Sequence, residues 1–388
     1  MALNRARACF RVLLIALCIS MIAGCGSQMP TQPADQASSL KIGVLFPLTG
    51  DAASYGEKGK RAIDMAVASI NAEGGVNGRT VEVIYEDSRA EPKTGVSAMK
   101  KLVEIDKVPA VVGDIVSSVT LPVAPIAEKS RVVLMSPTSS APAITDAGEY
   151  IYRIWPSDLA EGSALAEFAV TRGLKTVAIF HLNNDYGLSI ASIFSKTFEE
   201  KGGRVLLKEG YLAEATDFRA ALTKIKRASP DAVYIAGYYA DTSVIVKQAR
   251  ELGLEVQFLG TTAIEDEKFL ELAGAAAEGM IYPLATGFDP ASDSTMVRNF
   301  IVSFKKDYGY EPGWVEAQCY DAFKLLCWAA AEVNGPVTGT AIKQSIDRMS
   351  EYEGVTGTIK FDKNGDVSKS VTFKTVRGGR FQSVSDSG

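Results

Sequence analysis

The side chains best placed for chemistry in this chain lie in two serine-rich turns. Ser117-Ser118 follows a short apolar run at 110–112 and opens a helical stretch, so its hydroxyls and amides stand at a helix N-terminus. The partial positive charge there suits an anion such as a carboxylate, and the same spacing serves equally as a plain N-cap. Ser136-Pro137-Thr138-Ser139-Ser140 ends the next apolar run, at the edge where open α/β sheets hold ligands. A polar loop without function has the same composition. Tyr186, in Asn184-Asp185-Tyr186-Gly187, and Tyr238, in Gly237-Tyr238-Tyr239-Ala240-Asp241, fall on turns after strands. A tyrosine there either covers a site or caps the core of its own lobe. The single histidine, His181, stands at a strand end, and the sequence has no GxSxG elbow, P-loop, GxGxxG turn or Cys/His cluster for a metal. A Ser–Lys nucleophile pair stays open, but nothing places a lysine near Ser117. The pattern argues for a non-enzymatic binding protein that needs no cofactor and no metal.

The elements that must position these residues alternate regularly. From Leu40 onward, short β-branched runs alternate with helical stretches, the rhythm of an α/β chain with parallel sheets covered by helices on both faces. Strands are predicted at 41–46, 80–85, 110–112, 132–135, 176–180, 204–208, 232–235, 257–259 and 280–284. Three helical stretches without an intervening strand fill 293–349, and strands at 357–361 and 371–376 precede a Gly-rich hairpin. Extended runs closed by proline at 151–156 and 280–283 read as crossings between two lobes. A third crossing is expected at 366–370, after the Asn364-Gly365 turn. The division is then 40–155 plus 287–366 for a first lobe and 156–286 plus 367–388 for a second. Three crossing strands allow two doubly wound lobes to bend about a hinge without unfolding either core.

The ends of the chain carry a different signal. Residues 1–24 place Arg5, Arg7 and Arg11 before an apolar run at 12–23 that is too short to span a bilayer, which reads as an export signal. The run closes in Ile22-Ala23-Gly24-Cys25, which resembles the bacterial lipobox, so Cys25 is expected to become an acylated N-terminus. More than one acyl chain makes such an anchor stable. Residues 25–39 (after Cys25, GSQMPTQPADQASS) have no apolar period and read as a tether. Removal of the signal leaves 38 basic against 46 acidic residues and moves the formal charge from −5 to −8, a poor surface for nucleic acid. Only Cys319 and Cys327 then remain in the folded body. On one helix they lie about 12 Å apart along the axis, beyond disulfide reach, and are expected to be core thiols.

At this level the chain resembles the leucine/isoleucine/valine-type periplasmic binding proteins of ABC transporters, which have the type I periplasmic-binding fold. The resemblance runs over nearly all of the mature chain. It is carried by KIGVLFPLTGDAASYGEKGKRAIDMAVASINAEGGVNGR, VVGDIVSSVTLPVAPIAEKSRVVLMSPTSSAPAIT, HLNNDYGLS, DAVYIAGYYADTSVIVKQARELGLEVQFLG and ELAGAAAEGMIYP. Some relatives carry a first-lobe disulfide; here the corresponding places lie near Arg89 and Val116, and both cysteines are absent. The resemblance implies that Ser117 holds the ligand carboxylate, that Ser140 contacts the ligand through its amide and hydroxyl, and that Thr138 contacts it through its carbonyl. It implies that Tyr55 packs on the ligand side chain and that Tyr186 and Tyr238 cover it on closure, with Trp314 a weaker candidate at the rim. It further implies a small-molecule ligand, ABC permease subunits as partners and an extracytoplasmic, lipid-anchored location.

The chain departs from the family pattern where an acid normally meets the ligand's ammonium: the matching residue is Thr262. Either another acid substitutes, with Asp114, Asp185, Asp241 and Glu265 all placed on suitable loops, or the ligand is a carboxylate without an amine, such as an aromatic acid. A sensor that reports occupancy to a membrane partner is the alternative role. The export signal and the absence of a helix-turn-helix pattern argue against a cytoplasmic repressor of similar fold.

Overall fold

A computed structural model describes residues 39–384; the expected signal, Cys25 and all of the tether but Ser39 lie outside the described residues. In chain order the first sheet and its helices comprise β1 (Leu40–Phe46), α1 (Ala53–Ala72), β2 (Val81–Asp87), α2 (Pro92–Lys100), β3 (Ala110–Gly113), α3 (Ser117–Ser130), β4 (Val133–Ser136) and β5 (Ile151–Arg153). The second series comprises α4 (Asp158–Thr171), β6 (Thr176–Leu182), α5 (Asp185–Glu200), β7 (Arg204–Tyr211), α6 (Arg219–Ala228), β8 (Ala232–Ala236), α7 (Tyr239–Glu251), β9 (Gln257–Leu259), α8 (Glu267–Ala273) and β10 (Ile281–Leu284). There follow α9 (Thr295–Tyr308), α10 (Trp314–Ala331), α11 (Gly339–Arg348), the hairpin β11 (Tyr352–Gly354) and β12 (Gly357–Ile359), and finally β13 (Thr372–Arg377) and β14 (Arg380–Ser383). The predicted strands agree with these within three residues at either end.

The first sheet is parallel throughout, in the order β2-β1-β3-β4-β5. The second runs β14-β13-β10-β9-β8-β6-β7, and its five parallel strands repeat the same order. β3 and β4 are buried at every position, and β1 exposes only Lys41, as strands covered on both faces must. Local chemistry supports the helices: Ser157 caps α4, Asn184 caps α5 by accepting from Gly187 N–H at 2.8 Å, and Thr338 caps α11. The last hairpin turns on Gly378 and Gly379, with φ of +58° and +67°, the left-handed pair that a two-residue connection between twisted strands requires. α10 carries Cys319 and Cys327, both buried and free.

The two sheets are joined by three connections, between β5 and α4, between β10 and α9, and between β12 and β13. Two segments read as crossings are partly strands. Residues 151–153 form β5, paired with β4, so the connection begins only at Ile154. Pro283 lies inside β10, opposite Phe373, because β9 pairs with β10 only at Ile281 and the missing N–H of Pro283 removes no bond on that side. Arg153, fully buried, ties these segments together. Its guanidinium makes a bidentate pair with Asp366 at 2.7 Å and donates to Thr145 Oγ1 at 2.7 Å and to the carbonyls of Ser140 and Ala141 at 3.0 and 2.9 Å.

Candidate functional site

In a doubly wound sheet, ligands lie beyond the carboxyl ends of the strands, where the winding reverses. Each sheet reverses beside its first strand, at β1/β3 and at β6/β8. The loops after those strands line one cavity of about 40 Å³, room for two or three waters at about 10–15 Å³ each. Tyr55 follows β1, Ser117 follows β3, and Thr138 and Ser140 follow β4; on the other sheet Tyr186 follows β6, Tyr238 follows β8 and Thr262 follows β9. All seven reach the cavity, as does Trp314 from the start of α10. A wider groove of about 770 Å³ lies away from these loops, between residues 145–149, α11 and residues 361–365. It is open and lined largely by surface charges, so it lacks the enclosed, convergent polar groups of a ligand site.

The serines are arranged for an anion. The N-cap of α3 is Val116, in extended backbone with no side-chain cap, so Ser117 is the first helical residue and does not serve as a plain N-cap. Its Oγ instead accepts from the amides of Ser140 and Ala141, each at 3.1 Å, across 23 and 24 residues of chain. Its own O–H proton remains to be given to a ligand. The first-turn amides of α3 have no acceptor within the helix. Thr138 Oγ1 donates to Ile115 O at 2.8 Å and is thus spent on holding the two loops together.

Aromatic rings enclose the remaining walls. Tyr186 stacks on Tyr238 with centroids 5.3 Å apart, Tyr55 meets Tyr238 edge-on at 6.3 Å, and Trp155 packs against Trp314 at 4.9 Å. The Tyr238 hydroxyl is buried, and burial raises its pKa, with only the Asn184 side chain near enough to offset part of the shift.

None of the four acids anticipated for an ammonium lines the cavity. Asp114 is buried behind α3, where it accepts from Val116 N–H at 2.9 Å while its carbonyl takes the hydroxyls of Ser136 and Ser139. Asp185 is exposed in the first turn of α5. Asp241 accepts from the Tyr211 hydroxyl, and Glu265 pairs with Lys374 and Tyr282. Asp114, Asp241 and Glu265 each serve a donor in their own neighbourhood, and none of the four lines the cavity. The carboxyl on the cavity wall is Glu161, 3 % exposed in the first turn of α4 and 2.8 Å from Thr262 Oγ1. Burial pushes its pKa up to about 8, and the neighbouring Asp158 adds to the shift, against hydrogen bonds from Thr262 and Trp155. Sequence reading missed Glu161 and Trp155 because it searched the loops after strands; the acidic first turn beyond the Trp155-Pro156 crossing was the available signal.

Contacts between the two halves close the cavity. The Tyr55 hydroxyl donates to Ala263 O, Ser54 Oγ to Asp266 at 2.8 Å, Lys58 Nζ to Asp266 at 3.1 Å and Glu267 at 2.6 Å, and Trp314 Nε1 to Glu265 O at 3.0 Å. His181, buried with its Nδ1 near Leu182 O, lies away from the cavity. Among the described residues no cluster of His, Cys, Asp and Glu could hold a metal, and no helix is long and apolar enough to cross a membrane.

Known proteins share this arrangement. The periplasmic binding protein family profile matches residues 39–380. A leucine-, isoleucine-, valine-, threonine- and alanine-binding protein of Pseudomonas aeruginosa is 32% identical over 85% of this chain and 88% of its own length. A branched-chain amino acid transporter substrate-binding protein of Streptococcus pneumoniae, solved in complex with isoleucine, is 30% identical with a TM-score of 0.82, covering 89% of this chain and 98% of that one. A leucine-binding protein of Thermotoga maritima gives 30% identity and a TM-score of 0.83 over the same shares. On the profile match and these identities, this chain belongs to the periplasmic binding protein family, as a type I, leucine/isoleucine/valine-type solute-binding protein rather than an enzyme.

Proposed function

We propose that the protein is a lipid-anchored receptor that closes on a small apolar α-amino acid and delivers it to the permease subunits of an ABC importer. The observation that carries this reading is the composition of the cavity. One wall presents the Ser117 hydroxyl and the N-terminus of α3, the others present aromatic rings, and no lysine or arginine lines it. Hydroxyl and amide donors in a desolvated pocket hold a carboxylate, and rings hold a short aliphatic side chain. The small cavity and the ligands named for the Pseudomonas and Streptococcus relatives favour leucine, isoleucine, valine, threonine or alanine. In this reading Ser117 and Ser140 bind the carboxylate with the Thr138 carbonyl nearby, Tyr55 packs on the side chain, and Tyr186 and Tyr238 close over it. The lobes 40–155 plus 287–366 and 156–286 plus 367–388 bend about the three connections, and Cys25 supplies the anchor.

Thr262, in the place of an acid, favours a second reading, a carboxylate without an amine such as an aromatic acid. Calorimetry with the five amino acids, their deaminated acids and benzoate separates the two. The first reading expects the amino acids to bind and Ser140→Ala to weaken them by about 1–3 kcal/mol, the worth of a charge-assisted hydrogen bond. Binding of the deaminated acids or benzoate alone refutes it.

A further inference from the structure

We propose that Glu161 receives the ligand's ammonium in place of the acid that Thr262 lacks, and that it gives up a proton to solvent in doing so. The proposal rests on the amino-acid reading above and names the residue that makes it possible. Glu161 is the one acid on the cavity wall, its side chain makes no ion pair with any lysine, arginine or histidine among the described residues, and it is bonded directly to Thr262, 101 residues away.

The geometry around Thr262 accommodates a protonated Glu161. Thr262 Oγ1 lies 2.8 Å from Glu161 Oε1 and 2.8 Å from Pro283 O. A hydroxyl has one proton and a carbonyl only accepts, so if Thr262 gives its proton to Pro283, its contact with Glu161 requires Glu161 to be the donor, as a neutral carboxylic acid. In this reading the empty cavity holds a neutral carboxylic acid. Burial, which pushes this carboxyl up to about 8, acts in the same direction. When a ligand amine enters as an ammonium, the Glu161 O–H bond breaks, its proton passes to solvent before closure, and the carboxylate pairs with the ammonium, whose own bonds are unchanged. A buried ammonium then gains the counter-charge without which burial is costly. A ligand lacking the amine leaves the acid protonated.

The other ionisable groups around Glu161 do not account for this behaviour. Asp158, on the same helix, is pushed by burial only to about 6, against hydrogen bonds from Ser189 and Ser140 and the charge of Arg153. Tyr186 on α5 and Tyr234 on β8 are held neutral by burial, and so are Tyr55 and Tyr238 across the cavity.

The test is calorimetry on the full-length protein with isoleucine, in buffers of different ionisation enthalpy at pH 7. The slope of observed heat against buffer enthalpy counts protons. The expected result is close to one proton released per isoleucine, an affinity that rises nearly tenfold per pH unit between pH 6 and 7.5, and no release with 3-methylpentanoate, the deaminated analogue. Glu161→Gln should abolish the release and weaken isoleucine about 10- to 100-fold while leaving 3-methylpentanoate within twofold, which also shows the variant to be folded. Isoleucine binding with no proton released, or undiminished by Glu161→Gln, overturns the proposal and leaves the amino-acid reading standing. If 3-methylpentanoate binds and none of the five amino acids does, both fall. The proton count on the unaltered protein decides the matter even if the variant fails to fold.

Discussion

Asp266→Asn isolates the contribution of closure. Asp266 is 1 % exposed and plays two parts: its Oδ1 caps α8 by accepting from Lys268 N–H at 2.8 Å, and its Oδ2 takes Ser54 Oγ and Lys58 Nζ from α1 on the other side of the cavity. Asparagine caps a helix as well as aspartate does, so the substitution spares α8 and removes the charged acceptor that meets Ser54 and Lys58. Burial disfavours the Lys58 ammonium, but the carboxylates of Glu316, Asp266 and Glu267 outweigh it and raise its pKa on balance. A hydrogen bond to a charged group contributes about 1.5–3 kcal/mol; because Lys58 keeps Glu267 at 2.6 Å, a loss of about 1–2 kcal/mol is expected. These bonds join the two halves, so under the proposed hinge closure the loss falls on the closed form alone. The apparent Kd for isoleucine should rise about 5- to 30-fold through faster dissociation, with the melting temperature of the ligand-free protein nearly unchanged. Stopped-flow fluorescence and calorimetry measure both, and Lys58→Met combined with Asp266→Asn should cost less than the sum of the two. A change below twofold together with strict additivity would refute the assignment of these residues to a closing contact.

Three further outcomes are expected. The folded-state pKa of Glu161 is raised from 4.5 to about 8, so the native state holds a proton that the unfolded chain has lost; its share of stability is full below about pH 4.5 and is lost as pH rises through about 8. Thermal melts of the ligand-free protein should therefore show stability falling over that window by up to about 1.4 kcal/mol per pH unit from this group, and Glu161→Gln should flatten the fall. Asp366→Asn leaves the fully buried Arg153 without its counter-charge and should destabilise the fold by about 3–5 kcal/mol in denaturant titration; a loss under 1 kcal/mol would contradict the buried-pair account. Cys25→Ser should release the protein from membranes with isoleucine affinity unchanged, and retention in the detergent phase would remove the anchor from the proposal.

Much of this was legible in the sequence because it depends on local pattern. Apolar runs such as those of β1, β3 and β4 announce strands covered on both faces, and intervening helical periods force parallel winding. The winding places the residue after each strand at one edge, which made Ser117, Ser140, Tyr186 and Tyr238, far apart in sequence, candidates for one site, while the family resemblance added Tyr55 and Thr262. Local pattern carries no account of partners across the fold. It marked Ser117 as an anion donor but could not show its Oγ already accepting from Ser140 and Ala141. It placed four acids on suitable loops, whereas a loop position does not fix whether a carboxylate turns inward or caps its own backbone. Glu161 reaches the cavity from a helix face, where burial raises its pKa and Thr262 stands between it and the Pro283 carbonyl. That coincidence exists only once β9, β10 and α4 are packed together, because a proton's ownership is settled by every acceptor within reach and not by the residue that carries it.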